Sequence, residues 1–148
     1  MRNEDITPEL AQLVAAHPAS FRGTAPAIDS YVPLGWYGLA DKLCSDIESI
    51  LGADIKHFEC RQIKEKFGAL RFYWAYKRTA EVHVDMLGPA TIESITNEPH
   101  IADERLLRIR DLVSAASEAS ESICESCGAP GRLRVHKGYY MTRCSMHA

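Results

Sequence analysis

Apolar residues recur every three or four positions in three segments of the chain, a spacing that predicts three helices. The first spans residues 7–16, where Thr7 is suited to cap the N-terminus. The second spans about 34–51 and is expected to end at Gly52, because glycine readily adopts the conformation of a helix C-terminus. The third spans about 100–122. The segment between the first two helices is rich in Pro, Ala, Gly and Ser, which predicts a loop.

Apolar and polar residues alternate in the middle of the chain, which predicts β-strands. The alternation runs through residues 58–63 and again through 70–77, with Gly68 between them, and therefore indicates a β-hairpin. A third strand is expected in 80–87, before the breaker Gly88-Pro89. The face expected to enter the core comprises Leu70, Phe72 and Trp74. The basic side chains expected to face outward are Arg61, Arg71 and Lys77.

Composition is typical of an intracellular globular protein. The chain has 148 residues, of which 46% are hydrophobic and 25% charged, and this length suits one domain with a small appendage. No apolar run approaches the ~20 residues of a membrane span, and the first ten residues are too polar for a signal peptide. We therefore expect a soluble cytoplasmic protein. In a reducing cytosol thiols bind metal more often than they form disulfides, and five cysteines cannot all pair.

Two ligand pairs late in the sequence predict a metal site. Cys124 and Cys127 have the C-x2-C spacing that lets two thiolates hold one ion, and Gly128 follows where a metal knuckle strains the backbone. Cys144 and His147 form the second pair. Three sulfurs and one imidazole make a closed Cys3His set, so we expect one structural Zn²⁺. A redox dithiol would leave the second pair without a role, and a catalytic zinc would need an open position.

The 16 residues between the pairs predict how the pairs meet. Residues 132–135 and 139–142 are expected to form strands joined by a turn at 136–138, so the hairpin returns the chain to its starting point. His136 is an alternative ligand to His147, but its place in the turn disfavours it.

Together these elements predict an α+β fold, in which helices pack on a small antiparallel β-sheet or hairpin and a zinc ribbon follows. We expect residues 1–123 to form the α+β domain and residues 124–148 to form the zinc-ribbon module.

Three stretches of the sequence resemble a family of small uncharacterised bacterial and bacteriophage proteins. The stretches are GWYGLADKLCSDIESIL, IKEKFGALRFYW, and CESCGAPGRLR with its closing RCSMHA. The family is similar in having a Gly-Trp helix, a Lys-Glu-Lys-Phe-Gly hairpin and a cysteine pair in this order, and the resemblance spans roughly residues 34–148. It implies the fold and a prokaryotic or viral origin, with the bacterial host cytosol as location if the chain is phage-encoded, but no activity. Ala69 stands where the family leads us to expect a second glycine.

Two basic islands interrupt an acidic chain. Residues 56–78 carry seven Lys/Arg against two Asp/Glu, and residues 124–148 carry four against one, in a chain of net charge −3. Basic groups beside aromatic rings suit single-stranded nucleic acid, since the charges track phosphates and the rings stack on bases. The alternative is a solvated outer sheet face with the aromatic rings buried. The basic candidates for binding are Arg61, Lys64, Lys66, Arg71, Arg132 and Arg134. The accompanying rings are Phe67, Tyr73 and Tyr76.

The leading functional hypothesis is a non-enzymatic zinc-binding interaction protein. It would bind and modulate, or inhibit, a larger host or phage protein or nucleoprotein complex, with a counter-defence role by analogy. Its acidic N-terminal third would imitate phosphate through Asp41, Asp46 and Glu48. The runner-up is a nucleic-acid-binding accessory protein that uses the basic hairpin and the ribbon. Neither hypothesis requires a small-molecule cofactor or a membrane.

The third hypothesis is a metal-dependent nuclease built around Lys64-Glu65-Lys66. Such a core needs a further acidic residue, for which Asp54 and Glu59 are the candidates. The alternative interpretation is a charged turn, with Phe67 filling the core beneath it.

Overall fold

The computed structural model describes residues 6–22, 26–27, 29–78, 81–85 and 103–148, with 78 and 81–85 as backbone only. The fold is α+β, as the sequence predicts. Its helices and strands, in chain order, are α1 (Pro8–Ala16), α2 (Pro18–Phe21), a 3₁₀ turn (Leu34–Trp36), α3 (Tyr37–Leu51), a second 3₁₀ helix (Gly52–His57), β1 (Phe58–Lys66), β2 (Ala69–Arg78), β3 (Glu81–Asp85), α4 (Glu104–Ser120), β4 (Arg132–His136) and β5 (Tyr139–Arg143).

The helix boundaries follow local capping chemistry. The Thr7 hydroxyl accepts a hydrogen bond from the backbone N–H of Leu10 (3.3 Å), which confirms the predicted N-cap of α1. Asp103 caps α4 in the same manner, so this helix begins later than expected from its apolar pattern. The short helix α2 was expected to be loop. It forms because Pro18 tolerates a first helical position directly after His17 ends α1.

The predicted hairpin and third strand form one antiparallel sheet in the order β1-β2-β3. Phe67 and Gly68 both have positive φ (55° and 80°), the conformation of a two-residue hairpin turn whose twist matches that of the strands. A register shift between Cys60 and Gln62 places Arg61 in a bulge. The expected strand end at Gly88-Pro89 lies outside the described residues.

The core lies between this sheet, α3 and α4. The predicted sheet face is buried, and so are the apolar residues that α3 and α4 direct toward it. The largest side chains with almost no exposed surface include Trp36, Trp74, Tyr76, Phe21, Phe58, Leu10, Leu13, Ile47, Ile63, Leu70, Leu106 and Ile109. Cys44 and Cys60 are buried among them as small apolar residues.

The three aromatic candidates divide between the two interpretations: two rings are buried, as the alternative of a solvated sheet face expects, and one is exposed. Tyr73 and Tyr76 are buried, so their rings are unavailable for stacking on bases. Phe67 was predicted to fill the core, yet 61% of its surface is exposed. The turn explains this difference, because Phe67 occupies a left-handed turn position at the end of the hairpin and its side chain leaves the alternation of the strand.

No helix among the described residues is both long and apolar enough to cross a lipid bilayer.

Candidate metal centre

Strands β4 and β5 bring the two predicted ligand pairs together. The strands pair from Arg132↔Arg143 to His136↔Tyr139 and are joined by a tight turn at Lys137-Gly138. Because each pair lies just outside the open end of this hairpin, closing the ladder places Cys124 and Cys127 beside Cys144 and His147. His136 belongs to β4 and takes no part in the cluster.

The four candidate ligand atoms lie within 4.8 Å of one another, so the side chains can bind one metal ion. The Sγ atoms of Cys127 and Cys144 are 3.7 Å apart, and the Nδ1 atom of His147 is 3.2 Å from Cys144 Sγ and 3.8 Å from Cys124 Sγ. A tetrahedral zinc site has S···S edges of about 3.8 Å and S···N edges of about 3.5 Å, given its usual bond lengths. The donor set and its spacing therefore fit such an ion.

Neighbouring groups favour the charged forms of two of the thiols. Burial opposes ionisation of Cys124, but hydrogen bonds from the backbone N–H groups of Cys144, Ser126 and Cys127 lower its pKa to about 6. The hydrogen bond to His147 lowers the pKa of Cys144, and the same contact raises the pKa of His147. Thiolate is the form that binds metal.

The first ligand pair lies in a tight turn. The N–H of Gly128 donates to the carbonyl of Cys124 (2.8 Å), and Gly128 has a φ of +82°, where an L side chain is strained. The N–H of Cys124 donates to the carbonyl of Ala129 (2.7 Å). These bonds confirm that glycine is needed directly after the C-x2-C pair.

Gly35 and Trp36 form a docking site for this turn. The Gly35 N–H donates to the carbonyl of Glu125 (2.8 Å), and the Trp36 indole N–H donates to the carbonyl of Ile123 (2.7 Å). A Cβ atom on Gly35 would lie 1.9 Å from the Cys124 carbonyl oxygen, so only glycine permits this approach. The helical periodicity does not predict this role of Gly35, although the Gly-Trp dipeptide at the start of a helix is a signal for it.

The tip of the β1–β2 hairpin forms a second contact with the β4–β5 hairpin. The Thr142 hydroxyl donates to the carbonyl of Gly68 (2.7 Å), and Leu133 lies directly against Gly68. Beside these contacts, Phe67 meets Tyr140 edge-to-face with ring centroids 6.2 Å apart. The two basic islands therefore meet at their hairpin tips.

The six basic candidates differ in their environments. Lys66 and Arg132 are exposed, and the Lys66 ammonium lies 5.5 Å from the Phe67 ring centroid. Arg61 and Lys64 pair with nearby carboxylates, at 3.5 and 3.4 Å respectively. Arg71 is half-buried, and Arg134 donates to the carbonyl of Arg143 (3.2 Å). Of the four basic candidates on β1 and β2, Lys66 is therefore the one that lies at the joined hairpin tips.

The acidic candidates on α3 are engaged within the protein. His17 is buried; its Nε2 lies 2.6 Å from Asp41 Oδ1 and its Nδ1 lies 3.0 Å from Glu48 Oε1. Burial alone would lower the pKa of His17, but the hydrogen bonds and charges of the two carboxylates together raise it. Asp46 pairs with Lys42 one helical turn away (2.6 Å). The surface predicted to imitate phosphate is therefore partly used to hold α1 against α3.

The carboxylates of the nuclease hypothesis have structural partners. Glu65 accepts a hydrogen bond from the Gly68 N–H (2.8 Å), which stabilises the turn as the alternative interpretation predicted. Asp54 binds Arg105 (2.9 Å), and Glu59 pairs with Arg61. Across the part of the chain that the structure describes, the Cys3His set is the one group of three or more side chains arranged to hold a metal ion.

The fold and the site define an α+β protein with a Cys3His cluster that could bind one metal ion. Comparisons with protein-family models, with curated proteins and with solved structures find no match to the chain.

Proposed function

We propose that the protein is a non-enzymatic zinc protein that binds single-stranded nucleic acid at its joined hairpin tips. We call this region the tip surface; it comprises Lys66, Phe67, Lys137, Tyr139 and Tyr140. The observation that carries the proposal is the Phe67–Tyr140 contact, because it joins two basic hairpins and leaves aromatic rings exposed between them.

Zinc is the metal that the donor set favours. Three thiolates are soft ligands, and a closed four-ligand set within a short hairpin is typical of structural zinc. The role of the ion is to fix β4 and β5, which place Tyr139 and Tyr140 beside Phe67.

The tip surface has the composition that single-stranded binding requires. Tyr139 is 73% exposed and Tyr140 48%, in contrast to the buried tyrosines of β2. Every base offers a π-face to such rings, and nearby lysines neutralise phosphates by releasing counterions. Lys66 and Lys137 are both exposed, one on each of the two hairpins.

A salt titration against single- and double-stranded oligonucleotides, followed by fluorescence anisotropy, tests this proposal. We expect affinity to fall steeply with salt and to be higher for single strands. The variant Lys66→Glu/Lys137→Glu should weaken binding and reduce the slope of log K against log salt by about 2. The matched control is Lys42→Glu/Lys56→Glu, which has the same charge change. Lys42 lies on α3, and Lys56 lies in the 3₁₀ helix that precedes β1, a strand about 26 Å long that ends at Lys66.

Equal losses in the two double variants would contradict the tip surface, since they would reflect net charge alone. Absence of binding at low salt would reject nucleic acid and favour the second candidate, a host or phage protein complex. That candidate is supported by the exposed apolar side chains of Val135 (62%) and Met146 (86%). Its phage or bacterial setting is supported by the resemblance described above. Modulation of such a complex, including a counter-defence role, would follow from that binding.

A further inference from the structure

A cleft of about 420 Å³ is lined by residues of both hairpin tips. One wall comes from the end of β1 and its turn, and the other from the turn and first residues of β5. The cleft is lined by Glu65, Lys66, Phe67, Gly138, Tyr139 and Tyr140. Its walls therefore contain three aromatic rings, one ammonium group and one carboxylate.

The rings leave room for a planar ligand. Phe67 and Tyr140 are nearly perpendicular (87°), so they touch by edge and face rather than covering each other as a stacked pair would. Tyr139 is the most exposed ring of the tip surface. Aromatic side chains in this state bind bases by stacking, whatever the base.

Glu65 gives the cleft a hydrogen-bond acceptor. Its carboxylate is held by the Gly68 N–H (2.8 Å) and by the Tyr31 hydroxyl (3.4 Å), one bond to each oxygen. Each oxygen keeps acceptor capacity for another donor. A fixed negative charge repels phosphate from the cleft, but it accepts hydrogen bonds from a base amino group, as carboxylates do from cytosine N4.

We propose that this cleft binds one unpaired nucleobase that carries an amino group, with Tyr139 as the stacking platform and Glu65 as the acceptor. The flanking phosphates lie toward the ammonium groups of Lys66, in the cleft wall, and Lys137, on the neighbouring turn. This inference rests on the proposed function, but it predicts a discrimination among bases that charge alone does not provide.

Three ten-nucleotide strands of equal charge test the inference: oligo-dC, oligo-dT and an abasic strand. Thymine matches cytosine in ring size but has a carbonyl oxygen where cytosine has the amino group, so it offers Glu65 no such donor. We expect oligo-dC to bind about fivefold more tightly than oligo-dT. We expect oligo-dT to bind about tenfold more tightly than the abasic strand.

Two variants assign the two effects. Tyr139→Ala should bring oligo-dC and oligo-dT close to the abasic strand, and its exposed position should leave the fold intact. Glu65→Gln keeps an acceptor for the Gly68 N–H but adds an amide donor that thymine can use, so the preference for oligo-dC should disappear. Val135→Ala, an exposed change on β4 outside the cleft, is the matched control and should keep the wild-type order.

Equal binding of oligo-dC and the abasic strand would overturn the inference while leaving charge-driven nucleic-acid binding in place. If the wild-type protein binds oligo-dT at least as tightly as oligo-dC, Glu65 does not accept a hydrogen bond from the base amino group. That result would also overturn the inference. If all three strands fail to bind, the proposed function fails as well. Binding of arginine-rich peptides is then the measurement to make, because guanidinium groups also combine ring stacking with donation to a carboxylate. Peptide binding that Tyr139→Ala abolishes would assign the cleft to a protein partner.

Discussion

The body of the protein (the described residues from 6 to 123) and the metal module (residues 124–148) stabilise their hairpins by different means. In the body, the aromatic residues of β2 are buried against α3 and α4. In the metal module, five large apolar side chains are exposed, namely Leu133, Val135, Tyr139, Tyr140 and Met146. A segment of 25 residues cannot build a sufficient core, so we expect its order to depend on a metal ion at the Cys3His cluster and on docking to the body.

This difference explains where aromatic side chains are exposed. The rings of Tyr73 and Tyr76 contribute to the core and are inaccessible to a ligand. A metal ion bound by the Cys3His cluster would relieve the β4–β5 hairpin of the same demand. The rings of Tyr139 and Tyr140 lie at the surface. A metal-stabilised hairpin can thus present aromatic and basic side chains that a self-supporting hairpin of this size would have to bury.

The largest expected effect is that of metal removal. Chelation, or Cys124→Ser, should unfold the metal module, since zinc binding provides about 10 kcal/mol or more of folding free energy in small zinc domains. The body should retain α3, α4 and its sheet because it has its own core. Native mass spectrometry should find one zinc per chain, and hydrogen exchange should show protection lost from residues 124–148 alone.

Ser145→Ala is the control for the ligand variant, because Ser145 is an exposed neighbour of Cys144 outside the cluster. A metal module that stays protected in the metal-free protein would contradict the comparison between the two regions. Cooperative loss of the body together with the module would show that the docking contacts, rather than the core, determine the stability of both.

Much of this architecture could be predicted from local patterns. The helical spacing of α1 and α3, the alternation in β1 and β2, and the ligand spacing of the metal site are all properties of short stretches of sequence. The three helices, the sheet and the Cys3His cluster are confirmed for this reason. The division at residue 123 and the identities of the metal, partner and binding residues stay predictions.

Contacts between distant stretches could not be predicted. Gly35 lies 89 residues before the Cys124 carbonyl that it approaches, and Phe67 lies 73 residues before Tyr140. No periodicity links such positions. For the same reason, the acidic residues of α3 looked free in the sequence, although Asp41 and Glu48 bind His17 across the α1–α3 contact.

The next effect in size concerns the docking site. Gly35→Ala should destabilise the protein by about 3 kcal/mol, because the new Cβ atom would lie 1.9 Å from a backbone oxygen that cannot rotate away. Gly38→Ala is a matched control three residues later, in α3, where a Cβ atom meets nothing within 4 Å. It should be neutral or should stabilise the helix by up to about 1 kcal/mol. Thermal unfolding with zinc retention as a second signal measures both changes.

Zinc should be lost earlier in the Gly35→Ala melt than in the wild-type melt, since the clash lies at the ligand turn. Equal melting temperatures for the two alanine variants would mean that the metal module does not need the body for its position. The metal module would then be connected to the body by the chain alone rather than docked on its surface.

The smallest effect is a pH dependence that belongs to the body alone. The pKa of His17 is raised in the folded protein, so the folded state binds more protons than the unfolded state between the ordinary histidine pKa of about 6.5 and the raised value. The stabilisation is complete below about pH 6.5 and is lost as the pH rises through the folded pKa. The slope cannot exceed about 1.4 kcal/mol per pH unit for one group.

His17→Gln isolates this contribution, because glutamine can still donate to one carboxylate but does not titrate. Urea unfolding from pH 6 to 8.5 should give a wild-type free energy of unfolding that falls more steeply than that of the variant. Both proteins contain His147 and the cysteine ligands, so the contributions of these groups cancel when the two free energies of unfolding are subtracted. If the two curves run parallel, the pKa of His17 is the same in the folded and unfolded protein, and its contacts with Asp41 and Glu48 do not favour the charged imidazole.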